Sequence, residues 1–546
     1  MARLVTAAAA QTRSAENKAT DKAALQAIAQ AAVDVELFTI PLYMTSLYSI
    51  QGMHPITGKN TDFYAGRLWP GAKASAHPIS GNERAFNIVF SVFIQEMLHL
   101  QMAANMATAI GVTPKFTGGA LQDANFGWTC YGATQTVIPD IIDLKDTVNE
   151  DVTVELGPLD EHRIRLFLAI EQPEDDARAA IKPDKLSSYF PQVPFQGWSP
   201  GDALPMFGTI GWMYQCYYDY LSLRYDDGTS LWDAVFDDGA IQNDLFNNFS
   251  SGHPMREFMG FETTIALTDK AIAFSQMVAM MDAITDQGEG SEIKKPSANM
   301  FQAVMPRYQP RDEALRADYP SYSDKGVQIP SADAAARFDN DSLDHYERFQ
   351  EVRGLIEIGA ITTWNQRGAG NWNARDLTSA DYDGSNPYNL PTPEEIAGAL
   401  NTLSADPGAH QQLSQAVVGA IAGVTRVLDT FWASPGQSFP FPSMVGSGDR
   451  MSIAWAVTAQ TPDLSQGIGA ADDVHTLYHA CQGLVYDKDT QQDDPDVIIY
   501  HSCRGSNGCR SQGGCGFVQP VTGGAQGCGA ASGCGTAVAV RSQADR

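Results

Sequence analysis

The chain has 546 residues, of which 44% are hydrophobic, and it carries a formal net charge of −28 at pH 7. This length predicts more than one domain, or one large domain with insertions. A field of this sign repels nucleic acid and anionic membranes, so we expect neither as a partner. No run approaches the roughly 18 consecutive apolar residues of a membrane-spanning helix. Because residues 1–18 also lack the pattern of a secretory signal, we expect a cytoplasmic protein.

Two long helices are predicted near the N-terminus. Between residues 21 and 50, apolar side chains recur at helical spacing, and Pro41 is expected to kink the helix. Apolar residues also follow a helical period over 82–110, after which Gly111 and Pro114 are stop signals. Shorter helices are predicted at 159–171, 207–224, 257–286, 341–360, 394–404 and 408–433.

Loops and short β-type runs separate these helices. The β-type runs fall within 115–160, and residues 287–340 are rich in loop-forming residues. The fold class is therefore predicted to be mainly α. We expect three parts: a helical bundle with long loop insertions over 20–360, an additional helical region packed on it over 361–475, and an irregular Cys/Gly-rich tail over 476–546.

The stretch FIQEMLHL, residues 93–100, places Glu96 and His99 three positions apart in an apolar helix. This spacing puts both side chains on one helix face, together with Phe93, so they should point toward a core. A buried carboxylate needs a partner, and a metal ion can supply one. In bundle proteins with two irons or manganese ions, a Glu-x-x-His pair meets a lone Glu from a neighbouring helix. Glu36 is such a residue. The alternative is a chance Glu-x-x-His pair that faces solvent.

Several motifs resemble those of one family. AVDVELFTIPLYMTSLYSI at 32–50 and EMLHLQMAANMATAIGVTPKF at 96–116 are similar to the ferritin-like domain of the iminophenyl-pyruvate dimer synthases of violacein and indolocarbazole pathways. The resemblance covers roughly residues 20–360. Further matches, in the expected order, are FLAIEQPE (167–174), FGTIGWMY (207–214), ITDQGEG (284–290) and HYERF (345–349).

This resemblance implies a ferritin-like bundle with an internal iron or manganese site. Its ligands would include Glu36, Glu96 and His99. On the far side of the site, the resemblance points to Glu171, Glu289 and His345. Family members couple amino-acid-derived imines oxidatively, so a small-molecule substrate is expected. We also expect a homo-oligomer.

Two of the far-side residues have structural interpretations as well. Glu171 precedes a Pro-rich loop and could cap a helix or pair with Arg163 or Arg165. His345 shares a predicted helix face with Asp341, which could hold it as a structural histidine. The sequence leaves these alternatives open.

Two further features bear on the predicted site. Glu289 lies in QGEGS, where the glycines predict a tight turn. Trp212 stands where the family often carries Glu, and because Trp cannot bind iron, it puts a full two-metal site in doubt. Nearby aromatic residues could line a pocket or carry electrons, or simply pack a helix: Tyr214, Tyr217, Tyr218 and Tyr220.

The C-terminal tail contains six of the eight cysteines. YHACQG at 478–483 returns as YHSCRG at 500–505, and each repeat places His two residues before Cys. Thiolate and imidazole ligands suit copper, zinc or an iron–sulfur cluster, whereas disulfides would require an oxidising compartment. A redox relay or a modification site is the third alternative. The candidate residues are His479, Cys481, His501, Cys503, Cys509, Cys515, Cys528 and Cys534.

The sequence therefore supports three functions. We expect a metal-dependent oxidoreductase that uses non-haem iron or manganese on a small amino-acid-derived substrate. The alternative is a metal-handling protein that captures metal with the Cys-rich tail on a ferritin-like scaffold. A third interpretation is an assembly protein on a bundle that has lost its chemistry.

Overall fold

The computed structural model describes residues 13–467, except for 56, 58–59, 61, 63, 248–254, 296–307, 341, 386–391 and 434–446. It also describes three strands further along the chain, at 477–480, 484–487 and 498–500. All structural statements below concern these residues.

Helices form most of the described regular structure. In chain order, the α-helices are α1 (Lys18–Leu47), α2 (Gly81–Ala109), α3 (Glu161–Ile170), α4 (Glu174–Ala180), α5 (Ile210–Leu221), α6 (Leu231–Val235), α7 (Lys270–Glu289), α8 (Asp312–Asp318), α9 (Ala332–Asn340), α10 (His345–Glu357), α11 (Trp364–Arg367), α12 (Pro393–Ala405), α13 (Ala409–Ala433) and α14 (Ser447–Thr458).

The strands are short. They are β1 (Met53–Pro55), β2 (Leu68–Pro70), β3 (Val137–Ile138), β4 (Ile142–Asp143), β5 (Ser321–Tyr322), β6 (Gln328–Ile329), β7 (Leu477–Ala480), β8 (Leu484–Asp487) and β9 (Ile498–Tyr500). All described pairings between them are antiparallel, in the orders β1-β2, β3-β4, β5-β6 and β7-β8-β9. The mainly α fold predicted from the sequence is confirmed.

Helices α1 and α2 are the centre of the bundle. They pack against each other along their lengths, and α5, α7 and α10 pack around them. Nearly every residue of α1 from Ala24 onward is buried, as are those of α2 from Ala85 onward. A helix that is buried on all faces carries apolar residues all round. Pro41 lies inside α1, and the helix continues beyond it to Leu47.

Local sequence signals explain where these helices begin and end. Ser80 and Glu83 form a reciprocal capping box at the start of α2. Gly290, with φ of 63°, ends α7 in the left-handed conformation that favours glycine. Helix α7 begins later than predicted, at Lys270. It continues through Gly288 to Glu289 and ends at Gly290, within the QGEGS stretch where a turn was predicted. The predicted loop over 287–340 also contains α8 and α9.

The C-terminal helices contact the bundle. Trp455 of α14 donates from Nε1 to the carbonyl of Thr45 in α1, at 3.0 Å. Asp429 of α13 accepts a hydrogen bond from the backbone N–H of Phe116 at 2.7 Å. Helix α14 lies within the additional helical region predicted over 361–475, although no separate helix was predicted at its position. Strands β7–β9 lie within the stretch predicted to be an irregular tail.

Helix α1 bears on the expectation of no membrane segment. By length and hydropathy alone, the helical segment Ala15–Leu47 could cross a membrane. However, 78% of its most apolar window is buried inside the fold, as in the core helix of a packed domain.

Most candidate residues of the tail lie outside the described residues: Cys481, His501, Cys503, Cys509, Cys515, Cys528 and Cys534. His479 lies in β7.

Candidate metal centre

Glu36 of α1 meets Glu96 and His99 of α2 in the interior of the bundle. The exposed fractions of the three residues are 1%, 2% and 1%. Nδ1 of His99 lies 3.6 Å from Oε2 of Glu36 and 3.7 Å from Oε1 of Glu96. The two residues of the Glu-x-x-His pair therefore share one buried face, as predicted from their spacing.

His345 and Glu171 complete this cluster from the opposite side. His345 is the first residue of α10, and Glu171 directly follows α3 as its C-cap. Nδ1 of His345 lies 2.9 Å from Oε1 of Glu96 and 3.5 Å from Oε2 of Glu171. The imidazole rings of His99 and His345 stack with their centroids 5.3 Å apart. One ligand atom each from Glu96, His99 and His345 lie within 4.8 Å of one another, close enough to hold a metal ion.

The cluster has two similar halves that share Glu96. One half combines His99 with Glu36, and the other combines His345 with Glu171. Each outer carboxylate accepts a hydrogen bond from a buried tyrosine: Glu36 from Tyr214 at 2.7 Å, and Glu171 from Tyr43. The shared Glu96 accepts one from the hydroxyl of Thr39, through Oε2 at 2.8 Å. Hydroxyl donors thus fix the three carboxylates.

A glutamine fixes the orientation of His99. Gln287 donates from its amide nitrogen to the carbonyl of Tyr308 at 2.7 Å, so its Oε1 must be the atom that faces Nε2 of His99 at 2.9 Å. An oxygen can only accept there, so Nε2 of His99 carries the proton. Nδ1, which faces Glu36 and Glu96, is then free to act as a ligand.

A second glutamine does the same for His345. Arg348, which can only donate, contacts Oε1 of Gln95 from Nη1 at 2.5 Å. The same Oε1 lies 3.1 Å from Nε2 of His345, which must therefore be the donor. The lone pair of Nδ1 then faces Glu96, and within the described residues this buried nitrogen has no hydrogen-bond partner. Two lone pairs at this distance need a cation or a proton between them.

The electrostatics of the cluster favour uptake of positive charge. Burial, and then the neighbouring charge of Glu171, raise the pKa of Glu96 well above its ordinary value. For His99, burial lowers the pKa, but the bond to Glu36 and the charge of Glu96 outweigh it and raise the pKa overall. Both shifts favour the binding of positive charge in the cluster, as a proton or as a metal ion.

Glu289 lies beside this cluster but has other partners. Its Oε1 accepts the backbone N–H of Gly211, at the start of α5, at 2.8 Å. Burial raises its pKa to about 8, although the Gly211 bond lowers it, and the charge of Glu171 adds to the increase. A Cβ atom at Gly211 would lie 2.4 Å from Oε2 of Glu289, so the glycine makes room for this carboxyl. Glu289 as a metal ligand stays a prediction.

The side chain of Trp212 contacts residues outside the cluster. Its Nε1 donates to the carbonyl of Pro191 at 2.9 Å, and its ring packs edge-on against Phe190. The same helix sends Tyr214 to Glu36 instead. The residue at 212 therefore leaves both halves of the cluster intact.

Of the structural alternatives for Glu171, the helix cap is confirmed, since Glu171 is the C-cap of α3, and the arginine pairs are not. Arg163 pairs with Glu155, and Arg165 pairs with Asp151, so neither binds Glu171. Asp341, the alternative partner of His345, lies outside the described residues. The remaining tyrosines of α5 are buried: Tyr217, Tyr218 and Tyr220.

A family model described as ferritin-like matches residues 29–305, just over half of the chain. The chain belongs to the ferritin-like family. Among solved structures, it is similar to a ferritin-like protein from Caulobacter vibrioides, with 18% sequence identity and a TM-score of 0.37. That similarity covers 80% of this chain and 96% of the other. No curated protein sequence matches the chain.

Sequence reasoning missed the supporting residues of the ferritin-like site. Gln95 directly precedes Glu96, and Gln287 lies in the ITDQGEG motif. Nothing in the sequence indicates that either glutamine contacts a histidine on another helix. Tyr43 and Thr39 follow Glu36 by seven and three positions, which places them on the same side of α1. That helical spacing is a signal that could have found them.

Proposed function

We propose that this ferritin-like chain binds two transition-metal ions, iron or manganese, in the buried cluster. Glu36 and His99 would hold one ion, and Glu171 and His345 the other. Glu96 would bridge them. Carboxylate and imidazole ligands suit these metals, and the arrangement matches the pattern of carboxylates and histidines that bundle proteins use for two irons or manganese ions.

One observation carries this proposal: both histidines donate from Nε2 to a glutamine and turn Nδ1 toward carboxylates. A histidine that binds metal characteristically donates its other ring N–H to a partner that fixes the tautomer. Burying three or four carboxyl groups together is otherwise costly. The same side chains would be poorly explained as core residues alone.

We further propose an oxidoreductase that acts on a small amino-acid-derived substrate. Iron or manganese with such ligands, when bound, supplies one-electron chemistry with dioxygen or peroxide. The chain itself contributes the hydroxyls of Tyr43, Tyr214 and Thr39, which keep the carboxylates in place, and a buried environment that excludes water. The substrate class is supported by the resemblance to the iminophenyl-pyruvate dimer synthases.

Metal analysis of the full chain, purified without added metal, tests the proposal. We expect close to two iron or manganese ions per chain, and their loss in Glu96→Ala. Exposed Glu351, which pairs with Arg84, gives the control variant Glu351→Gln. Retention of the full metal content by Glu96→Ala would contradict the proposal, as would a protein that takes up neither metal.

The metal-handling alternative depends on the repeated His-x-Cys motif of the tail. It predicts copper or zinc that is lost when Cys503, Cys509 and Cys515 are changed to Ser, and that survives Glu96→Ala. The oxidoreductase proposal predicts the reverse for iron or manganese. The same metal analysis on both variants therefore separates the two functions.

A further inference from the structure

The two halves of the centre differ in how the supporting glutamine is held. Oε1 of Gln287 accepts from His99, and its own amide nitrogen donates to the carbonyl of Tyr308. Oε1 of Gln95 is shared: it accepts from His345 at 3.1 Å and from the guanidinium of Arg348 at 2.5 Å. The shorter of these two bonds goes to the cationic donor.

This difference changes the electron density that each histidine can offer. When an amide donates from its nitrogen, its oxygen becomes a better acceptor, because hydrogen bonds in a chain polarise one another. Gln287 therefore draws the Nε2 proton of His99 and strengthens Nδ1 as a ligand. A cation at the oxygen of Gln95 has the opposite effect, since it competes for the same lone pairs. Nδ1 of His345 is then the weaker ligand.

We infer that the centre is functionally asymmetric, with the Glu36/His99 half binding its metal ion more tightly than the Glu171/His345 half. Arg348 is the positioning residue that creates the difference, acting through Gln95. This inference rests on the proposed metal centre. It goes further by assigning an order of loading to the two halves, and a role to Arg348 through its contact with Oε1 of Gln95.

The surroundings of Arg348 fit this role. Its exposed fraction is 1%, and Nη1 also contacts the hydroxyl of Ser91 at 3.2 Å. It lies three residues after His345 on α10, so one helical turn carries both the ligand and the residue that modulates it. Arg353, on the same helix, is half exposed and pairs with Glu357, which makes it a matched control.

Calorimetric titration of the metal-free full chain with Co(II) tests the inference. We expect two binding steps whose dissociation constants differ by about tenfold or more, the range that supporting hydrogen bonds typically control. Arg348→Met should strengthen the weaker step by about tenfold and leave the tighter step unchanged. Arg353→Met should change neither step.

Two further variants assign the steps to the halves. Gln287→Met removes the acceptor of His99 and should weaken only the tighter step. Gln95→Glu keeps Arg348 and offers His345 a stronger acceptor, so it should strengthen the weaker step even if Arg348→Met does not fold. Thermal unfolding of each metal-free variant identifies those that fold.

Two equal steps in the unchanged protein would overturn the inference. So would a weaker step that neither Arg348→Met nor Gln95→Glu alters in folded protein. Failure of the unchanged protein to bind Co(II) at all would instead overturn the proposed metal centre, so the two failures are distinct.

Discussion

Tyr214 and Tyr217 lie three positions apart on α5 and are both fully buried, but their hydroxyls have different surroundings. The Tyr214 hydroxyl donates to Oε1 of Glu36 at 2.7 Å. The Tyr217 hydroxyl has no hydrogen-bond partner in the part of the chain that the structure describes. The Tyr214 hydroxyl holds a carboxylate of the metal centre in place. Burial of the unpaired Tyr217 hydroxyl lowers the stability of the fold.

This pair gives a matched test of the hydrogen bond to Glu36. Tyr214→Phe removes a donor to a buried carboxylate, so it should weaken metal binding by about tenfold and lower the free energy of unfolding by about 2 kcal/mol. Tyr217→Phe removes an unpaired buried hydroxyl and should raise the free energy of unfolding by about 1 kcal/mol without altering metal affinity. Denaturant unfolding and metal titration measure both. Equal effects of the two changes would contradict this assignment.

Replacement of the shared carboxylate should separate stability from metal binding. Glu96→Gln keeps an oxygen for the Thr39 hydroxyl but removes a group whose pKa burial has raised. We expect the metal-free variant to be at least as stable as the unchanged protein at neutral pH, while its metal content falls to near zero. Thermal unfolding of metal-free samples and elemental analysis check this. A large loss of stability without loss of metal would indicate a purely structural carboxylate.

Metal binding should release protons. Glu96 and His99 both have raised pKa values, which favours protons in the metal-free cluster that a metal ion must displace. The apparent affinity should therefore rise with pH, by about tenfold per pH unit for each proton displaced. Titrations in buffers of different ionisation enthalpy count the protons released. An affinity that stays constant between about pH 6 and about pH 8 would contradict this expectation.

Glu289 and Glu171 should respond differently to the same change. Glu171→Gln removes a proposed ligand and should weaken binding of the second metal ion. In Glu289→Gln, the new amide oxygen can still accept the N–H of Gly211, so we expect metal content to be retained. Because the pKa of Glu289 is raised to about 8, the uncharged amide also resembles its protonated form. Loss of metal from Glu289→Gln would instead support Glu289 as a ligand.

Asp34 should make the protein less stable as pH rises. It accepts from Gln30 at 3.1 Å, and burial raises its pKa to about 7; the Gln30 bond lowers it, and Asp140 adds to the increase. The unfolded chain loses this proton near pH 4, so between about pH 4 and about pH 7 the folded state binds more protons and stability falls as pH rises.

Asp34→Asn should remove this decrease in stability with rising pH. The variant should exceed the unchanged protein in free energy of unfolding at neutral pH, by up to about 4 kcal/mol. Denaturant unfolding at a series of pH values gives the difference, and the exposed Asp184→Asn is the control. Parallel pH profiles of Asp34→Asn and the unchanged protein would contradict the prediction.

Local patterns in the sequence predicted the parts of the centre that one helix carries. The spacing of Glu96 and His99 was sufficient to place them on one buried face, and the apolar period predicted α1 and α2 closely. The general pattern of metal-binding bundles pointed to Glu36 as the lone Glu. The convergence of Glu171 and His345 rested on the family resemblance, because no spacing rule links residues on different helices. The glutamines lay beyond prediction, since their role depends on tertiary contacts with Tyr308 and Arg348.

The extent of helix α7 was also hard to predict. QGEGS carries two glycines, which favour a turn, but tertiary packing keeps Gly288 helical and only Gly290 takes the left-handed conformation. Glu289 therefore ends a helix rather than occupying a turn. The low helix propensity of glycine is overridden by tertiary packing at Gly288.

The centre draws on residues that are far apart along the chain, from Glu36 to His345. The ferritin-like match ends at residue 305, before His345 and Arg348. A fragment cut at that boundary would keep Glu36, Glu96 and His99 but lose the nitrogen ligand of the second half. Metal ions bound in both halves would also act as a cross-link between α1 and α10. This cross-link would close a loop of about three hundred residues. Loss of metal should then loosen the whole domain, so that protease resistance becomes a reporter of occupancy.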